Sequence, residues 1–374
     1  MKKIKILETI RQGSVGGGET YLYNLVSNLD TDKFQVEVLS FTDGEMIDKL
    51  KKIGIKTHII PTEKPFDFSV YPLVKKLISE NDFDIVHAHG TRAGTNSIIP
   101  AKLLKKKILY TVHGWSFHTG NNPLVTLSRK LSERLLVSLC NTVICGSQSD
   151  VNSGRKYCGG KSYELIHNSI DTKKFNPDSE WKNLRDEFGF SEQDIIVSFV
   201  ARMTFQKDPL TFIRAIPIVA SKCPNVKFLV VGDGELKQEV IQLAKALNVT
   251  DKIVFTPFRS DVQNIHHSVN IFVLPSLWEV IPLALLEAMS MRVACIATNI
   301  NGTTEALEHD KNGLLFEYGS ESELADRIIN LATDSKFRER LGVQARATVE
   351  SKFDLAKLVH RNEEVYSKIS GQKA

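Results

Sequence analysis

Short apolar runs punctuate the chain, and between them apolar positions recur every three or four residues. The runs Ile4 to Glu8, Phe34 to Phe41, Thr57 to Ile60, Ile85 to His89, Leu109 to His113 and Thr142 to Cys145 read as strands of the first half. After the first of them, Tyr21, Leu22, Leu25 and Leu29 fall at helical spacing, and the other gaps carry similar patterns. The pattern begins again with Ile195 to Val200 and continues through Phe228 onward, Ile253 to Thr256, Ile271 to Leu274 and Ala294 to Ala297. Strand alternating with helix predicts parallel, doubly wound α/β sheets, and the restart predicts two of them. A last helix, about Leu355 to Ile369, carries Leu358, Val365 and Tyr366.

Composition agrees with this picture and narrows it. A chain of 374 residues with 42% hydrophobic and 25% charged residues makes ordinary globular domains with a sizeable core. No apolar run approaches a bilayer span, and Met-Lys-Lys-Ile-Lys-Ile-Leu enters a strand pattern without a cleavage signature, so a cytoplasmic protein is expected. The five scattered cysteines contain no Cys-x-x-Cys pair, which speaks against a disulfide framework or a zinc site. Net charge is +4 but uneven: 25 basic against 17 acidic residues up to residue 177, and 23 against 27 beyond. A basic first half suits an anionic surface or acceptor. Within it, Leu124 to Leu139 is amphipathic, with Arg129, Lys130 and Arg134, and follows the cluster Lys105-Lys106-Lys107. Such a face can rest on anionic lipid headgroups.

Candidate chemistry collects where strands end, the place ligands bind in open α/β sheets. Around Val273 to Glu287 a strand ends in Pro275-Ser276, a loop carries Glu279, and Pro282 opens a helical segment containing Glu287. Proline suits a first helical turn, so the amides near Val280, Ile281, Pro282 and Leu283 are expected at a helix end that attracts phosphate. On one continuous helix the two glutamates would lie about 80° and about 12 Å apart. With Glu279 on the loop, both carboxylates can face one crevice and accept bonds from vicinal hydroxyls, as a ribose or sugar would offer. The strand Ile195 to Val200 ends in Ala201-Arg202, with Lys207 five residues on, a suitable diphosphate clamp. Gly13-Ser-Val-Gly-Gly-Gly-Glu19 is a glycine-rich strand-to-helix turn that exposes amides but lacks the dinucleotide and P-loop spacings. Phe228-Leu-Val-Val-Gly-Asp-Gly has too few glycines for a nicotinamide site. His87 and His89 alternate along one strand, but two histidines with no third ligand in view more often simply end a strand, so a metal is set aside.

The pair Glu279 and Glu287, the Gly17-Gly18-Glu19 loop, Thr111-Val-His113-Gly and the Arg202…Lys207 clamp together resemble the retaining glycosyltransferases of family 4. Asn301-Gly-Thr-Thr-Glu305 and Asn312-Gly resemble further turns of that family. The resemblance implies the GT-B fold: two Rossmann-like domains facing across a cleft, an acceptor-binding domain over 1–175, a donor-binding domain over 176–354, and a helix over 355–374 that crosses back to the first domain. The boundary follows from Leu165-Ile-His-Asn-Ser-Ile-Asp171, similar to the family's linking element, with Ser169 for its usual glycine. The resemblance also implies transfer of a hexosyl group from a nucleotide-diphosphate sugar, a UDP-sugar by preference, to a glycan or lipid-linked acceptor, without cofactor or metal. Arg202 and Lys207 would neutralise the diphosphate, Glu287 would bind ribose, Glu279 the donor sugar, and His113 the sugar near the reacting carbon. Gly17 and Gly18 would lie toward the diphosphate, Phe258 by the base, and Glu19 and His89 toward the acceptor. Val280 stands where the family has glycine, so either the loop is ordinary there or donor binding is altered. A non-catalytic nucleotide-sugar scaffold and a GT-B epimerase are the rival readings.

Overall fold

The computed structural model describes residues 2–13, 16–117, 122–160 and 162–371. The chain divides into two compact units, Met1–Asn168 with Leu355–Ala374, and Ser169–Asp354. The division falls inside the Leu165 to Asp171 segment used to place the boundary near 175.

The first unit is a seven-stranded sheet of β1 (Ile4–Ile10), β2 (Phe34–Ser40), β3 (Lys56–Ile59), β4 (Ile85–His89), β5 (Lys107–Val112), β6 (Thr142–Cys145) and β7 (Ser162–Leu165). Its order is β3-β2-β1-β4-β5-β6-β7, and every pairing is parallel. The connecting helices are α1 (Gly17–Val26), α2 (Glu45–Lys52), α3 (Tyr71–Glu80), α4 (Gly90–Leu103), α5 (Pro123–Leu139) and α6 (Gln148–Cys158). Central strands of such a sheet are covered on both faces and read as unbroken apolar runs. β4 and β6 are buried throughout. β7 escapes a reading by hydrophobicity because its four residues, Ser-Tyr-Glu-Leu, are mostly only half-covered. The order in which strands are added reverses between β1 and β4, which makes their carboxyl ends the switch point where ligands bind in such sheets.

The second unit has six parallel strands, β8 (Ile195–Val200), β9 (Val226–Val231), β10 (Ile253–Thr256), β11 (Ile271–Leu274), β12 (Ala294–Thr298) and β13 (Leu314–Phe316), in the order β10-β9-β8-β11-β12-β13. Its helices are α7 (Pro209–Lys222), α8 (Lys237–Ala246), α9 (Val262–Ser268), α10 (Leu283–Ser290), α11 (Thr303–Ala306), α12 (Glu321–Thr333) and α13 (Ser335–Lys352). Two apolar cores cover the faces of the sheet, one around Phe199, Phe212 and Phe228, the other around Phe272, Leu285 and Phe353. The switch point here lies between β8 and β11.

The last helix, α14 (Leu355–Ser370), belongs to the first unit. Leu358, Val365 and Tyr366 pack with Ile4, Ile6, Tyr21 and Phe34 in one core cluster. Helix α5 has an unusual polarity. Its inner side buries Glu133, Leu136 and Val137, yet its outer side presents Leu124, Leu127, Leu131 and Leu135, exposed by 78, 55, 59 and 45%. At about 100° per residue these four leucines fall within an arc of about 80° directly opposite Glu133.

Candidate active site

In the first unit the sequence candidates converge on a pocket of about 570 Å³ at the β1–β4 switch point, whose lining includes Gly18, Glu19, His89, His113, Ser116 and Arg129. Helix α1 begins at Gly17, after Gly16 in extended conformation. Gly18 lets it come close: a Cβ there would stand 3.2 Å from the His113 ring. Gly17, by contrast, is exposed and meets nothing within 4 Å. Ser14 and Val15 of the glycine-rich turn lie outside the described residues.

His113 follows β5 and is half-buried, with Tyr21 set edge-on 5.0 Å from it. Its Nε2 lies 3.1 Å from His89 Nδ1, and the two rings stack. His89, expected to reach the acceptor, has both ring nitrogens engaged, because its Nε2 lies 2.7 Å from Glu8 Oε2. Its ring therefore stands behind His113. Register explains the meeting: Glu8 on β1 is paired with His87 on β4, and side chains two apart on a strand share a face. His87 places Nδ1 2.8 Å from the Tyr366 hydroxyl and Nε2 2.7 Å from Thr111 Oγ1, while Tyr366 donates to Glu8 Oε1 at 2.7 Å. Burial alone would raise the Glu8 carboxyl, but the electrostatic attraction and hydrogen bonds it receives from the His87 and His89 rings outweigh it and hold Glu8 far below the usual range. Burial, reinforced by His87, pushes His89 down to about 4, and burial likewise holds His113 well below its ordinary value.

Glu8, His87 and His89 also bring metal-capable donor atoms within 4.8 Å of one another. The two histidines thus gain the third donor that sequence alone did not reveal. Each of these donors already has a hydrogen-bond partner, so an ion would have to displace those bonds. A second buried carboxylate, Glu133, accepts from Thr91, Tyr110 and Ser116 at 2.6, 2.9 and 2.7 Å and ties α5 to the pocket wall. From sequence alone Glu8 and Glu133 carry no role, His87 enters only as half of a metal pair, and Tyr366 only as an apolar position of the last helix.

In the second unit the candidates gather at the β8–β11 switch point. Arg202, just past β8, is exposed. Lys207 forms an ion pair with Glu279, so the expected diphosphate cation and sugar carboxylate hold one another. Gln206 fastens the two loops: its carbonyl accepts from Leu277 N–H and its side-chain amide donates to the Trp278 carbonyl, both at 2.8 Å. Gly232 and Gly234 allow the next strand end to press in, since a Cβ on either would strike the carbonyl of Ala201 or Met203 at 2.2 or 2.3 Å.

The Glu279 loop is held from behind by Gly302, at φ +82°, where a Cβ would fall 1.8 Å from the Val280 carbonyl oxygen. Val280 is not among the described non-glycine residues with positive φ, so the loop runs in an ordinary conformation that valine tolerates. Pro282 is extended, at φ −74° and ψ 121°, and caps α10 from outside, one position earlier than a first-turn proline. Its carbonyl accepts from Leu285 and Leu286, which leaves the amides of Leu283 and Ala284 leading the helix. Ile281 is buried in the core. Glu287 sits one turn into α10, and burial pushes its carboxyl up to about 7, with Lys174 opposing. Phe258, beyond β10, is 66% exposed and presents a bare aromatic face.

Two parallel-sheet α/β units, each with its polar groups at the switch point, have the architecture of the GT-B fold. Family models identify the chain further: "Glycosyltransferase Family 4" matches residues 15–174 and "Glycosyl transferases group 1" matches residues 180–348. Between them these take in most of the chain, which belongs to the group 1, family 4 glycosyltransferases and is a transferase. The chain is 27% identical to the UDP-Gal:α-D-GlcNAc-diphosphoundecaprenol α-1,3-galactosyltransferase of Escherichia coli, over 97% of each chain. It is 26% identical to the N-acetyl-α-D-glucosaminyl L-malate synthase of Bacillus anthracis, over 84% of this chain and 82% of the other. Among solved structures, Anabaena HepE in complex with UDP and glucose matches with a TM-score of 0.85 at 22% identity, over 98% of this chain and all of that one.

Proposed function

We propose that the chain is a retaining hexosyltransferase that takes a UDP-sugar as donor and a lipid-linked or glycan hydroxyl as acceptor, in the synthesis of a surface polysaccharide or glycoconjugate. The observation that carries this reading is the switch point of the second unit. There the exposed Arg202, Lys207 and the leading amides of α10 suit a diphosphate, while Glu287 and the open face of Phe258 suit ribose and base. The names of the Escherichia coli relative and of HepE, with UDP-Gal and UDP respectively, support the choice of uridine.

In this reading the bond from the sugar C1 to the diphosphate oxygen breaks, and the acceptor oxygen bonds to C1 on the same face. The departing phosphate oxygen takes the acceptor's proton. Arg202 and Lys207 stabilise the charge that develops on the diphosphate, an electrostatic contribution that needs no metal. Donor binding draws Lys207 toward phosphate and frees Glu279 for sugar hydroxyls. EDTA is expected to leave the rate unchanged.

The acceptor side lies in the first unit, with Glu19 and His113 at the pocket, and its supply is expected to come from a membrane. The leucine stripe of α5 supports this, since the helix's single acidic residue, Glu133, is buried while Lys130 and Arg134 flank the stripe. Among the described residues no helix is long and apolar enough to cross a membrane, so the contact would be peripheral.

Thermal unfolding with UDP, GDP and ADP tests the donor site. Ligand at 100 times its dissociation constant adds about 2.7 kcal/mol, a shift of several degrees. UDP is expected to give that shift and Arg202→Ala to abolish it. No shift at millimolar nucleotide would remove the donor reading.

A further inference from the structure

We infer that Glu8 and Tyr366 are positioning residues for His113: acting through His89, they fix it as the tautomer with its proton on Nε2 and a lone pair on Nδ1 for the substrate. The argument follows the hydrogen bonds inward to outward. An ionised carboxylate can only accept. Tyr366 O–H supplies Oε1 at 2.7 Å, so the proton between Glu8 Oε2 and His89, also at 2.7 Å, sits on His89 Nε2. A neutral His89 then has a bare Nδ1, and the atom facing it at 3.1 Å, His113 Nε2, must carry the next proton.

The reverse pattern would set two lone pairs against each other, unless His89 held two protons. Full burial of that ring works against this. His87 closes the pattern. Thr111 O–H can donate to its Nε2, and its Nδ1–H can then serve Tyr366 and Glu8, at 2.8 and 3.1 Å. One arrangement of protons thus satisfies Glu8, His87, His89 and Tyr366 together, with Glu8 as the single charge among them.

The consequence for chemistry rests on the reading of the pocket as a sugar site. A neutral ring with a lone pair on Nδ1 can accept from a sugar hydroxyl and tolerates positive charge growing at the reacting carbon. An imidazolium would oppose that charge. Outer groups commonly choose which imidazole nitrogen is protonated in this way. Tyr366 stands on α14, so the last helix of the chain takes part in setting the state of His113.

The test is long-range nitrogen–proton NMR of the full chain labelled with ¹⁵N-histidine at pH 7, assigned with His113→Gln and His89→Gln. His113 is expected with a protonated Nε2 and a bare Nδ1. In Glu8→Gln the amide can either donate or accept, so His113 is expected to become a mixture of tautomers, and kcat to fall about tenfold or more while KM for the donor stays within about twofold. Tyr366→Phe, which leaves the fold less disturbed, is expected to shift both readouts in the same direction by less. A wild-type His113 protonated on Nδ1, or on both nitrogens, overturns the inference. So does a folded Glu8→Gln or Tyr366→Phe protein with tautomer and kcat unchanged. The spectra need no turnover, so they decide the tautomer even where no nucleotide sugar proves to be a donor.

Discussion

Glu287 offers the most direct handle on the proposed donor site, because its carboxyl is raised to about 7 from an ordinary 4.5. The sign follows from linkage. Below pH 4.5 both folded and unfolded chains hold the proton; between about 4.5 and 7 the unfolded chain releases it and the folded one does not. Stability therefore falls as pH rises through that window, by up to roughly 3 kcal/mol. Glu287→Gln is expected to remove this fall, read as urea midpoints from pH 5 to pH 8. If the carboxylate grips ribose hydroxyls, UDP affinity in the wild type should rise between pH 6 and 8, and the glutamine variant should show a flat and weaker profile. Calorimetric titration at three pH values checks it. Arg202, Lys207 and Glu279 were legible in the sequence because each closely follows a strand end that the hydrophobic pattern locates, and Glu287 because it lies in the helical segment behind Pro282. The ion pair between Lys207 and Glu279 was not, since it depends on which strands are neighbours. Glu8 and Tyr366 were further out of reach: 358 positions separate them, and nothing local distinguishes a tyrosine on a final helix from a core filler.

Among elements, the Glu279 loop and helix α5 behave in opposite ways. The loop is held by backbone contact: Gly302 leaves no room for a Cβ and adopts a φ that other residues resist. Gly302→Ala is expected to cost more than about 2 kcal/mol and to weaken UDP binding as the Val280 carbonyl is pushed aside, both measurable by thermal unfolding with and without nucleotide. Helix α5 instead keeps an apolar face that the described residues of its unit leave largely exposed. Replacing Leu127 and Leu131 together by Glu is expected to leave the melting temperature nearly unchanged and to abolish cosedimentation with anionic vesicles at low salt. Equal sedimentation of the variant would remove the membrane contact. The sequence marked this segment by its basic residues. The orientation of its leucines became visible only once Glu133, the residue one would place in solvent, proved to be buried beneath Thr91, Tyr110 and Ser116. The short strands show the same limit. β13 has three residues and β7 a half-exposed pattern, and neither gives periodicity enough to read.

At the scale of the whole molecule, the two units differ in how the chain builds them. The second is contiguous, from Ser169 to Asp354, and holds its cores within that span. The first needs α14, whose Leu358, Val365 and Tyr366 complete its core. A fragment of residues 169–354 is expected to unfold cooperatively by itself. A fragment ending at residue 168 should not, unless a peptide of residues 355–374 is supplied; circular dichroism of the two fragments and the mixture would show it. Loss of α14 also removes Tyr366, the donor that occupies one oxygen of the buried Glu8. During translation the order of synthesis therefore inverts the order of folding. Material made first must wait, with an open flank and an unmatched buried acid, until the helix after Asp354 leaves the ribosome. A chain stopped before α14 can complete the second unit but not the first, so the cluster of Glu8, His87 and His89 gains its tyrosine partner only once α14 has been made.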